Sequence, residues 1–100
     1  TILLCVFYDA HGNGVWDPGE QGIPGWQFVI TGILTNGDSY GPVYLTTGAD
    51  GCVNFEPPPG TYVVEEIVPV GWIPTSPTSF VITLPEGGAD GREFGVKPIQ

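Results

Sequence analysis

One hundred residues make one domain, with room for a single core and no second. Eleven acidic residues against two basic ones give a net charge of -9, which argues against nucleic acid or an anionic membrane as partner and suits divalent cations. Sixteen glycines and eleven prolines mark a loop-punctuated chain, while 41% hydrophobic content with 12% aromatics is too rich for disorder. No segment approaches the length of a membrane span. No basic-then-apolar signal peptide opens the chain, so a secreted form has lost its signal or been excised as a domain. Two cysteines, few lysines and no methionine are compatible with secretion.

The first extended run, Ile2 to Tyr8, is apolar, β-branched and aromatic. Leu3, Cys5 and Phe7 alternate with Ile2, Leu4, Val6 and Tyr8, so both faces are apolar, which a strand half exposed to water does not need. Something covers its outer side. Two readings stand. Either a loop of the same sandwich lies over it, or Leu3, Leu4 and Val6 make an intermolecular contact, the strand adding to the exposed sheet edge of a neighbouring unit. A first strand beginning at residue 2, and a chain end soon after the last strand, would let such units abut with almost no linker.

Asp9 to Glu20 follows, with oxygen-bearing residues at the spacing of a twelve-residue calcium loop. Asp9, His11, Asn13, Asp17 and Glu20 stand at positions 1, 3, 5, 9 and 12 of that loop. Gly14 falls at position 6, where the chain must turn sharply, and Val15 at position 7, where the ligand is a backbone carbonyl. Calcium is the expected cofactor. His11 is the departure, because calcium is a hard cation that prefers oxygen; water or another part of the chain would fill its position. The competing reading is an ion-free hairpin loop, since Asp, Asn and Gly also favour turns for their own backbone reasons. In sensor proteins such a loop joins two helices that calcium drives apart. Here both flanks read as extended, so calcium would neutralise crowded carboxylates and fix the angle of the first strand, adding stability by mass action.

Further extended runs are expected at Trp26 to Leu34, Pro42 to Thr47, Cys52 to Phe55, Thr61 to Val68, Ser79 to Leu84 and Arg92 to Lys97. The breaks fall at Gly22 to Gly25, Thr35 to Gly41, Gly48 to Gly51, Pro57 to Gly60, Pro69 to Pro77 and Glu86 to Gly91. No window has sustained helical periodicity, and about seven evenly spaced short strands predict an all-β, antiparallel sandwich. Trp26, Phe28, Phe55, Tyr62, Val64 and Phe94 are candidate core residues, and Pro59 to Tyr62 reads as a structural corner. Trp16 and Trp72 lie beside turns, where they cap the sandwich ends or form a sugar-binding platform, capping being the commoner fate. Successive strand residues face opposite ways, so at most one of Glu65 and Glu66 points inward, and a solvated pair is expected.

Cys5 and Cys52 lack the spacing of a metal or redox site. A bridge between them would close a long loop, worth about 4 kcal/mol in the chain-entropy account. With Val53 and Phe55 turned to the core, Cys52 faces outward, which leaves a bond to a neighbouring chain, or two free thiols, as alternatives.

In chain order, Val6 to Gly25, Thr46 to Phe55, Pro59 to Glu66, Pro69 to Trp72 and Phe94-Gly95 resemble the B-type repeats of bacterial surface adhesins, the Cna B-type and Sdr B-like domains. The resemblance spans about residues 2 to 95. It implies a secreted, Greek-key, immunoglobulin-like sandwich of the prealbumin-like type, used as a calcium-rigidified spacer in stalks and pili. By the same resemblance Asp9, Asn13, the Val15 carbonyl, Asp17 and Glu20 would be calcium ligands. Many such domains cross-link themselves by an isopeptide bond between a first-strand lysine and a last-strand asparagine or aspartate, helped by a buried acid. Here the first strand has no lysine and the only one in the chain is Lys97, so no such bond is expected, and Cys5 with Cys52 would take its place.

The single histidine lies in the metal loop and no nucleophile-base pair is apparent, so an enzyme is not expected. The expected function is that of a calcium-stabilised structural domain in an extracellular surface assembly, as a stalk repeat or a pilus or filament subunit. Its partners would be copies of itself or neighbouring repeats. The alternative is an adhesive module that binds a host protein or glycan through its end loops.

Overall fold

The computed structural model describes residues 1–99, which form eight strands and no helix. One four-stranded sheet holds β4 (Cys52–Phe55), β1 (Ile2–Tyr8), β8 (Asp90–Pro98) and β6 (Trp72–Pro74), in that order. The other holds β3 (Ser39–Thr46), β2 (Gln27–Leu34), β5 (Gly60–Ile67) and β7 (Ser79–Leu84). Only β2 and β3 are consecutive neighbours in one sheet; every other connection crosses between sheets, as in a Greek-key sandwich.

The all-β sandwich expected from the turn punctuation is present, with two differences. β6 lies inside the expected break Pro69 to Pro77. It is three residues long and ends in proline, so its own sequence carries no strand signal; it forms because β8 offers an edge, pairing Trp72 with Pro98 and Pro74 with Val96. The second difference is that the strands are not all antiparallel. β1 runs parallel to β8 over seven pairs, from Ile2 with Asp90 to Tyr8 with Val96. Parallel neighbours at the two ends of the chain set its entry and exit at opposite poles of a body 46 × 26 × 22 Å. Thr1 is held at one pole by its ammonium on the Gly88 carbonyl, and Ile99 at the other by its amide on the Gly71 carbonyl.

Between the sheets, Ile2, Leu4 and Val6 of β1 and Phe94 and Val96 of β8 face Phe28, Ile30, Tyr62, Val64, Ile82 and Leu84, with Trp26 at the margin. The Phe94 ring packs on Phe28 at 4.9 Å and on Phe80 at 5.3 Å between centroids. Phe55 is only partly buried against this cluster. The Tyr62 hydroxyl donates to the carbonyl of Pro58, four residues back, so the segment leading into β5 is the corner its sequence suggests.

β1 is an interior strand along its whole length. β4 pairs with Ile2 to Cys5, and beyond Cys52 the partner role passes to Gly51, which accepts from the Val6 amide, and to Gln21 and Ile23, which bond Tyr8 and Val6. The two chains meet so closely here that a Cβ on Gly22 would sit 2.1 Å from the Asp50 carbonyl oxygen. Only glycine allows that joint. β1 therefore has no open edge to lend to a neighbour, and Leu4 and Val6, expected as interface candidates, are fully buried in the chain's own core. Leu3 alone of the three faces out, at 43% exposure. The outer side of β1 is covered from within: Trp16, from the loop that follows, stacks on Phe7 at 5.3 Å with the rings 7° from parallel.

Candidate metal centre

The loop from Asp9 to Glu20 leaves the end of β1 and folds back over that strand. Gly14 makes the sharp turn with φ of +75°, a conformation L side chains rarely adopt. Asp9 is fully buried, its carboxylate accepting from the amide of Gly14 at 2.7 Å and more loosely from that of Asn13 at 3.4 Å. Burial alone would raise its pKa. The Thr75 hydroxyl facing it, though outside standard hydrogen-bond geometry, and the amides of Gly14, Asn13 and Gly12 outweigh that and hold the pKa below the ordinary carboxylate value.

The other end of the loop closes on Glu20. Its side chain is 2% exposed and its two oxygens accept from the amides of Asp17 and His11, at 2.8 and 3.2 Å. His11 Nδ1 stands 3.1 Å from Asp17 Oδ2 and 3.1 Å from Glu20 Oε2, while the Asn13 amide nitrogen donates to Asp17 Oδ2 at 2.8 Å. Asn13 Oδ1 in turn accepts from the amide of Val15, whose side chain is exposed. Trp16 is tied down at both ends, its ring on Phe7 and its indole N–H on the Glu20 carbonyl at 2.9 Å.

The structure thus brings His11, Asp17 and Glu20 together, with one ligand atom of each within 4.8 Å of the others. Asp9 stands apart from that trio, turned inward to its amides. Oxygens sharing one calcium ion at 2.3 to 2.6 Å are separated by no more than about 5 Å, so the spread of Asp17 and Glu20 suits such an ion. The imidazole does not, being a nitrogen donor. His11 is 61% exposed, so an outward rotamer would leave its place to water. The loop carries three carboxylates, two with buried side chains held by backbone amides, and among the described residues the basic groups beside it are His11 and Lys97, whose ammonium lies against Gly12.

Cys5 and Cys52 sit directly opposite one another on β1 and β4 and are joined by a disulfide, with Cα atoms 4.0 Å apart. The intramolecular bridge is the outcome among the three alternatives, and no cysteine is free. Trp72 is half-buried, edge-on to Trp26 at 5.3 Å and to Tyr8 at 6.2 Å, and Trp16 lies on Phe7, so both pack as caps. Solved structures share this sandwich fold. The shaft pilin SpaA of Lactobacillus rhamnosus GG superimposes on it with a TM-score of 0.69 at 17% identity, over 99% of this chain and 50% of that one. A doubly substituted variant of the same pilin gives 0.68 at 16%, over 99% and 49%. The TIE protein of Bacillus anthracis gives 0.66 at 21%, over 98% of this chain and 17% of that one. The chain spans half or less of the length of these proteins. No protein-family model matches it, and no curated protein is significantly similar.

The acidic pair of β5 departs from expectation at one residue. Glu65 is exposed as expected, but Glu66 is buried between the sheets. Neither of its oxygens has a hydrogen-bond partner of standard geometry; the indole N–H of Trp26, likewise unpaired, is the nearest group favouring its charged form. Burial pushes its pKa up to about 7. The signal was in the sequence, since Glu66 shares parity with Tyr62 and Val64 on the inward face of β5. Thr75 carried no local signal, because its place beneath Asp9 is set by the short pairing of β6 with β8.

Proposed function

We propose that this chain is a calcium-stabilised spacer of the B-type, a stalk repeat or filament subunit in an extracellular surface assembly, and not an enzyme. The observation that carries the reading is the parallel β1–β8 pair, which sends the chain in at one pole and out at the other of an elongated body. Such a unit joins end to end with copies of itself or with neighbouring repeats. The likeness to shaft pilins supports the same role, and the disulfide suits an oxidising exterior. Calcium would be held by Asp17 and Glu20, with Asn13, the Val15 carbonyl and water in place of His11 completing the shell, and Asp9 would join it only by turning from the amides that now hold it. Its charge would relieve the buried carboxylates, and ordering the loop would press Trp16 onto Phe7.

Electron microscopy of the native material, with antibody labelling, tests the assembly: label along surface fibres supports it, and label confined to the cell interior overturns it. Chelation tests the ion. At one hundred times the dissociation constant calcium adds about 2.7 kcal/mol, so a chelator should lower the melting temperature, and Asp17→Ala or Glu20→Ala should abolish the response. A melt unchanged by chelator removes calcium from the proposal and leaves the spacer.

A further inference from the structure

We infer that under tension between its two poles this sandwich lengthens through only about half of its chain, because the Cys5–Cys52 bridge closes the intervening residues out of the force path. The inference rests on the spacer reading only for the source of the tension; the mechanics follow from the fold. β1 and β8 are parallel neighbours over seven residue pairs, entered from opposite poles. Pulling the ends apart drives the two strands past each other, so the evenly spaced bonds of this parallel ladder are loaded together and not one after another. Nothing else in the topology links the two terminal strands so directly.

Once β8 slips, β1 does not simply follow its N-terminal end outward. Four residues in, at Cys5, it is tied to Cys52 on β4. Tension then runs from Thr1 to Cys5, across the two sulfurs, and on from Cys52 towards the far pole. The residues between, spanning the metal loop, β2 and β3, carry none of it. They remain closed into a loop whose ends lie 4.0 Å apart between Cα atoms. The closure entropy of that loop is already removed from the unfolded state, so the metal ligands and the Trp16–Phe7 cover return to their partners without a search over the full chain length. The bridge thus keeps the metal loop, which its place next to β1 would otherwise expose first, off the load line.

Single-molecule pulling on a tandem array, with handles at the array ends, tests both halves. With the bridge closed, each unfolding event should release about 170 Å less chain than after reduction, the sequence separation of 47 residues at about 3.6 Å each. The ladder is tested by direction. Moving one handle from the far pole to Ala89, next to Thr1, turns shear into unzipping and should lower the unfolding force at least twofold in the unmodified sequence. Two proline variants add a second measurement. Asp90 and Val96 both bond toward β1, so by alternation the Arg92 amide does too, and Arg92→Pro should weaken the end-to-end force. The bond from the Glu66 amide to the Thr78 carbonyl puts the Val81 amide on the open edge of β7, so Val81→Pro should leave that force unchanged. Equal chain release with and without reduction, or equal force in the two pulling directions, overturns the inference. Neither result touches the spacer reading, which the labelling of surface fibres tests separately.

Discussion

Replacing Glu66 by glutamine removes the buried acid between the sheets while keeping its shape, and the effect on stability depends on pH in a direction the structure fixes. The folded-state pKa of about 7 lies above the ordinary 4.5, so between those values the folded chain binds more protons than the unfolded one. Stability is therefore greatest below pH 4.5 with respect to this group and falls as pH rises through 7. At about 1.4 kcal/mol for each tenfold change in proton affinity, the full loss is about 3 kcal/mol, complete above pH 8. Glutamine has no charge to bury and escapes it. Urea unfolding followed by tryptophan fluorescence at pH 5, 7 and 9 gives the comparison. The difference between the two proteins isolates Glu66, because every other titrating group is common to both. Glu66→Gln should gain about 3 kcal/mol on the parent between pH 5 and 9, which near the melting point is about 12 °C or more for a domain of this size. A difference that does not change with pH would refute the assignment of a protonated, unpaired Glu66 to the core.

Leu4→Asp and Leu3→Asp, one residue apart, should behave oppositely: the first places an unpaired charge at a fully buried site and should prevent folding, while the second, at a partly exposed site, should cost less than about 1 kcal/mol. Circular dichroism melts check both. Reducing the Cys5–Cys52 bridge, or Cys52→Ser, should destabilise by about 4 kcal/mol in denaturant titrations. Intact mass of the oxidised protein should fall short of the sequence value by the two disulfide hydrogens alone; a further loss of ammonia or water would reveal a lysine cross-link, which the exposed Lys97 beside Gly12 gives no reason to expect.

Much of the architecture was readable because it is written in local chemistry. The apolar alternation of β2, β5 and β7 and the Gly and Pro clusters between strands locate six of the eight strands closely and the Tyr62 corner directly. What was not readable is set by partners far away in sequence. β6 exists only through β8, and the direction of β8 beside β1 depends on how the sandwich closes, which no strand's own pattern encodes. The two-sided apolarity of β1 was visible, but not its cause: the same signal fits a neighbouring molecule or Trp16 on Phe7, and only the fold-back of the loop decides. In the loop itself, spacing located Asp17 and Glu20 beside His11, yet gave no hint that Asp9 would turn inward to amides supplied by its own loop.

Three separate devices converge on β1. Its inner face carries Ile2, Leu4 and Val6 into the core, its outer face is held by the bridge at Cys5 and by Trp16 over Phe7, and both its edges are paired. The covering loop is also the candidate metal loop, and Trp16 is anchored to the carbonyl of Glu20, the same residue whose carboxylate faces His11. A ligand that ordered Glu20 would therefore also hold the cover on Phe7, so on the calcium proposal ion binding would be coupled to retention of the strand. On the spacer reading, an interior strand fastened on every side is where tension would best enter the sandwich, because a strand at an open edge would peel away first.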